Sequence, residues 1–229
     1  MLGLPVWRAS LNRIHVTRTD TGRGRRCADL QIHKRQGPGA FRLVDGVPCV
    51  LPAPAVLGTA MLCGVEAGVI AADAALAAHL VTRQELDIWL ARLTRHPTVS
   101  AGRMAVELAD GRSESPGESR TRLLLRSLGL GDVVAQVEIR DENGRLVARV
   151  DFLYEPQRTI VEFDGLVKYG DADGRRALIA EKRREDQLRD LGYQVVRITW
   201  AELDRPLVLQ RRIQAAFART AASHPDCGV

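Results

Sequence analysis

Asp151, Glu162 and Asp164 are the residues of this 229-residue chain whose types and spacing point most directly to chemistry. Asp151 lies in an alternating run, 146–153, in which Leu146, Ala148, Val150 and Phe152 share one face while Arg149, Asp151 and Leu153 share the other. Glu162 and Asp164 share a face with Ile160 in a second run, 159–164, and alternate there with Val161 and Phe163. If the two runs form a hairpin that turns between Pro156 and Gln157, opposed residue numbers sum to about 313, because turn position sets register. Asp151 then faces Glu162, and Arg149 faces Asp164. Acidic residues are poor strand formers, and like charges opposed across a ladder repel. A divalent cation, Mg²⁺ or Mn²⁺, turns that repulsion into coordination, since hard cations take a few carboxylate oxygens and complete their shell with water and phosphate. Such an ion polarises a phosphodiester, stabilises the leaving oxygen and helps to deprotonate an attacking water. Lys168, past Gly165, is the candidate to stabilise the developing charge. The blander alternative for the carboxylates is a pair of edge-strand charges facing solvent.

These residues need a scaffold to position them. Ser115-Pro116-Gly117-Glu118 reads as a helix start, with Ser at the N-cap, Pro at N1 and Glu118 at N3. Glu118 is either half of a capping box, an acidic group of the site, or both. After this helix come a strand over 133–139, the two runs above, a charged helix over about 173–191, a strand over 193–199 and a last helix to about 220. The order predicts a mixed sheet flanked by helices, an α/β (α+β) domain spanning 111–229.

The motifs themselves carry a resemblance. Arg149-Val150-Asp151-Phe152, Ile160-Val161-Glu162-Phe163-Asp164-Gly165 and the stretch 183–197 (RREDQLRDLGYQVVR) are similar to the very-short-patch-repair-like (Vsr-like) endonuclease domains of the PD-(D/E)xK superfamily. The similarity covers about residues 113–203. It implies a restriction-endonuclease-like αβββαβ core and metal-dependent cleavage of DNA, with Asp151 and Glu162 as metal ligands, Asp164 beside them, and Glu118 matching the acidic residue on the first helix. Asp164 stands at the superfamily's "xK" place, and Lys168 stands where relatives tend to carry His. A rival expectation is a catalytically inactive, nucleic-acid-binding or antitoxin-like regulator on the same scaffold.

Upstream, residues 1–110 read as a smaller domain of short strands followed by helices. Arg13–Arg18 and Leu30–His33 alternate like strands around a Gly- and Arg-rich turn over 20–26, and Asp45-Gly46 offers a hairpin turn. An Ala-rich helix over 55–78, a second opened by the Thr82–Glu85 capping box and a third from Pro97 follow. The region 46–110 resembles the helical part of actinobacterial proteins related to AbiEi-type antitoxins of toxin–antitoxin systems. Those relatives begin with a winged helix, most of which is expected to be missing here.

The net charge of +5 is unevenly placed: residues 1–46 hold nine Arg and Lys against three Asp, whereas 111–229 hold twenty against nineteen acids. A basic segment favours a polyanionic partner, so Arg23, Arg25 and Arg26 are candidates for sequence-independent contact with nucleic acid; an exposed basic loop explains them equally simply. Arg183 and Arg184 are candidates to touch phosphates, against the commoner solvated helix face laced with i,i+4 pairs. Four widely spaced cysteines argue against a zinc site or a disulfide framework. No membrane span is expected, the cytoplasm is the expected location, and a homodimer is an open expectation.

Overall fold

The computed structural model of the protein describes residues 3–94, 96–165 and 172–223. The chain is mixed α/β and divides into two compact units, Met1–Pro116 and Gly117–Val229.

In the first unit, strands β1 (Ile14–Thr17), β2 (Arg25–Arg26) and β3 (Leu30–His33) form a sheet ordered β1-β3-β2. β1 runs parallel to β3, and β2 runs antiparallel to it. Arg25 and Arg26, expected inside a turn, instead pair with Ile32 and Gln31, although their side chains stay exposed. The hairpin β4 (Phe41–Val44) and β5 (Val47–Val50) turns on Asp45 and Gly46, both at positive φ, as an Asp-Gly turn requires. Four helices follow: α1 (Pro52–Cys63), α2 (Val65–Ala77), α3 (Arg83–Arg92) and α4 (Val99–Leu108).

The Ala-rich stretch expected as one helix over 55–78 is two. Gly64, at φ 93° and ψ 172°, occupies backbone space closed to L side chains and ends α1 there. The break lets α2 fold back on α1 closely enough that a Cβ on Gly68 would lie 2.3 Å from the Ala60 Cβ. Leu57, Ala72, Leu86 and Trp89 lie in the buried core that results. Thr82 and Glu85 form the expected capping box on α3.

The second unit opens on α5 (Pro116–Leu128). It continues with β6 (Val134–Arg140), β7 (Leu146–Tyr154), β8 (Thr159–Phe163), α6 (Ala172–Asp190), β9 (Gln194–Ile198), the short α7 (Trp200–Leu203) and α8 (Pro206–Ser223). The sheet order is β6-β7-β8-β9: two antiparallel pairings, then a parallel one between β8 and β9, whose connection runs through α6. The β6–β7 turn is held by Asp141, whose Oδ1 accepts from the Asn143 and Arg145 amides, with Gly144 at φ 77°.

Alternation gives the sheet two apolar faces. Phe152, Tyr154, Val161, Val196 and Ile198 pack with Leu125 of α5 and Leu209 and Ile213 of α8. Leu153 and Ile160 pack in a second cluster with Leu188 of α6. At one point a helix presses unusually close: a Cβ on Gly117 would lie 1.9 Å from the Phe163 ring, which is itself stacked edge-on against Trp200 at 4.8 Å. A glycine at the start of α5 is therefore what lets the neighbouring Glu118 reach the sheet. Among the described residues, no helix is long and apolar enough to cross a membrane.

Candidate metal and phosphate site

The β7–β8 ladder pairs Phe152 with Val161, Leu153 with Ile160 and Tyr154 with Thr159, each pair summing to 313. Asp151 and Glu162 lie one step beyond the last of these pairs, where the ladder stops. The two carboxylates line one cleft of about 230 Å³ together with Arg149, Asp164, Glu181, Arg184 and Arg197. The β7–β8 ladder ends here, while β7 itself runs on beside β6, and Asp151 Oδ2 accepts a 2.8 Å hydrogen bond from the Phe163 amide. That bond fixes the Asp151 rotamer, and among the described residues the other carboxylate oxygen has no hydrogen-bond partner.

Glu162 is more enclosed, at 9% exposure, and Glu118 of α5 is buried at 8%. Glu118 Oε2 accepts a 3.0 Å hydrogen bond from Gln136 Nε2 on β6. Burial pushes the Asp151 carboxyl up to about 6 against the pull of the Phe163 amide, and the negative charges of Glu118 and Glu162 add to the rise. Asp151 thus feels carboxylates from two other elements, α5 and β8. Glu162 is also raised, by burial first; the guanidinium groups of Arg184 and Arg197 oppose that shift without cancelling it.

The cations of the cleft are arranged unequally. Arg184 Nη2 stands 3.3 Å from Glu162 Oε1 and 3.4 Å from Oε2, and 3.9 Å from Glu181. Arg197 Nη2 makes two shorter pairs, each 2.9 Å, with Glu181 and Glu185. Its Nε is 3.9 Å from Glu162 and, though buried, has no hydrogen bond.

Asp151, Glu162, Asp164 and Arg184 are therefore brought together, and Glu118 stands within electrostatic reach of Asp151. Arg183, also on α6, is exposed and does not line the cleft. Arg23, Arg25 and Arg26 are exposed residues of the first unit. Lys168 lies outside the described residues.

Sequence reasoning missed Gln136, Glu181 and Arg197. Gln136 left no signal that set it apart from the other polar residues of its strand, Glu138 and Arg140, and its φ of 56° was not legible in the sequence. That left-handed backbone is rare for a residue with a side chain, and such outliers cluster at functional sites. Arg197 and Glu181 carried no signal beyond ordinary charged positions on a strand and a helix.

As a donor set the cleft is hard: among the described residues it offers carboxylate oxygens and neither thiolate nor imidazole. Among the described residues, no group of three or more His, Cys, Asp or Glu side chains stands close enough to share an ion. The set fits a Mg²⁺- or Mn²⁺-like cation held by two carboxylates that keeps much of its water, rather than a dedicated protein cage.

The chain is 28% identical, over 209 residues, to an uncharacterized protein of Mycobacterium tuberculosis strain CDC 1551, covering 91% of this chain and 74% of that one. The same values hold for an uncharacterized protein of Mycobacterium tuberculosis strain H37Rv. No family model and no solved structure matches the chain.

Proposed function

We propose that this protein is a metal-dependent nuclease that hydrolyses phosphodiester bonds in DNA, its second unit being a restriction-endonuclease-like core. The observation that supports this best is the meeting of Asp151 and Glu162, from adjacent strands, in one polar cleft that also holds three arginines. Asp151 and Glu162 would hold Mg²⁺ or Mn²⁺, with Asp164 at the same opening. The ion, when bound, would supply Lewis-acid stabilisation of the phosphodiester and of the leaving oxygen.

The chain's own groups do the rest. The Phe163 amide aims Asp151 by its 2.8 Å bond, and Gln136 aims Glu118. Arg149 and Arg184 supply planar cations suited to phosphate oxygens at the cleft. The enclosed position of Glu162 excludes water from one side of the site, which strengthens every charge interaction there.

The expected result is Mg²⁺- or Mn²⁺-dependent cutting of DNA that disappears in Asp151→Ala. Cutting retained by a clean Asp151→Ala preparation overturns the assignment. One observation favours a second reading, a catalytically inactive nucleic-acid-binding or antitoxin-like regulator: Glu162 is already paired with Arg184. Such a protein would bind DNA with a steep salt dependence and without any need for a divalent ion.

A further inference from the structure

Arg184 pairs with Glu162, one of the two carboxylates that the nuclease reading gives to the cation. The cleft is rich in fixed negative charge, with Asp151, Glu162, Asp164 and Glu181 on its wall. Buried carboxylates without a counter-charge are costly, so some cation must stand among them. Arg197 from β9 is the anchored one, tied to Glu181 and Glu185 by two 2.9 Å pairs. Arg184 is the looser of these two. Its contacts to Glu162, at 3.3 and 3.4 Å, are longer than the roughly 2.7–2.9 Å of a strong charge-assisted bond. Its side chain is 34% exposed, against 12% for Glu162, and it projects from a helix while the carboxylate is fixed on a central strand. Its charge is also felt by Asp151, so one guanidinium faces both prospective ligands.

We infer that Arg184 is an internal counter-cation that stands in for the divalent ion at Glu162 and is displaced when the ion binds, becoming available to a phosphate oxygen. This rests on the metal-site reading of Asp151 and Glu162. Metal and Arg184 compete for one carboxylate, so removing the arginine must tighten metal binding. A residue that merely binds phosphate or braces the fold would leave metal affinity unchanged or weaken it. Linkage between two such competing ligands commonly amounts to about 5- to 150-fold in affinity, so an effect on the order of tenfold is expected.

The test is calorimetric titration of the full-length chain with Mn²⁺, in the absence of DNA, for the wild type and three variants. Arg184→Gln should bind Mn²⁺ on the order of tenfold more tightly than the wild type. Arg184→Lys, which restores a positive charge, should return affinity toward the wild-type value. Arg183→Gln, the same charge change one residue away on the exposed face, should leave it unaltered. Thermal unfolding of each variant shows whether the fold is retained. If the wild type binds Mn²⁺ and Arg184→Gln binds equally or more weakly, the counter-cation idea fails while the metal site stands. If neither the wild type nor Arg184→Gln binds, the metal site itself fails. Tightening that persists in Arg184→Lys also overturns the inference, because charge would then not be its cause.

Discussion

Replacing Asp151 by Asn should stabilise the metal-free protein at neutral pH. The carboxyl has an ordinary value of 3.8 and is pushed up to about 6 in the folded chain, by burial and by the charges of Glu118 and Glu162. A carboxyl raised on folding binds its proton more tightly in the native state. Its contribution to stability is therefore fully present below about 3.8, falls as pH rises through the window from about 3.8 to about 6, and above that becomes a constant penalty. Roughly two pH units at about 1.4 kcal/mol each set an upper bound of about 3 kcal/mol. Partial exposure and coupling to two other carboxylates reduce this to about 1–2 kcal/mol. Asn keeps an oxygen that accepts from the Phe163 amide and loses only the charge. In EDTA at pH 7.5, Asp151→Asn should unfold a few degrees above the wild type by scanning calorimetry. At pH 4 the two should converge. Mn²⁺ should then raise the midpoint of the wild type and not of the variant. If Asp151→Asn is less stable than the wild type at pH 7.5, or keeps the same pH slope, Asp151 does not sit in the electrostatic environment described here.

Two further outcomes test the surrounding structure. Gln136→Gly removes the cost of a left-handed residue, about 1 kcal/mol, and with it the 3.0 Å bond that aims Glu118. Stability should hold or rise, while Mn²⁺ affinity measured by calorimetry falls; an unchanged affinity would detach Gln136 and Glu118 from the site. Gly117→Ala drives a methyl into the Phe163 ring, which Trp200 backs. Chemical denaturation should show a loss of about 1–3 kcal/mol, typical of overpacking, and no loss would mean that α5 stands further from the sheet.

Much of the site was readable in one dimension because hairpin geometry is local. A turn at 155–158 and a period of two determine which residues face each other, so the 313 register and the meeting of Asp151 with Glu162 follow from turn position alone. The capping box at Thr82 and the Asp45-Gly46 turn were legible for the same reason: each is a motif of a few consecutive residues. The break at Gly64 was not. Ala-rich helical patterning runs through it undisturbed, and what decides it is the docking of α2 back onto α1 at Gly68.

What the tertiary structure alone decided are the meetings of residues far apart in the chain. Glu118 influences Asp151, and Gln136 holds Glu118, because the start of α5 comes close against Phe163 where Gly117 admits it. Arg184 and Arg197 converge on Glu162 because the parallel crossover through α6 returns to β9 beside β8. Composition along the chain records how many charges there are. Which of them neutralise one another depends on long-range packing, and a period of two or of 3.6 carries no information about that.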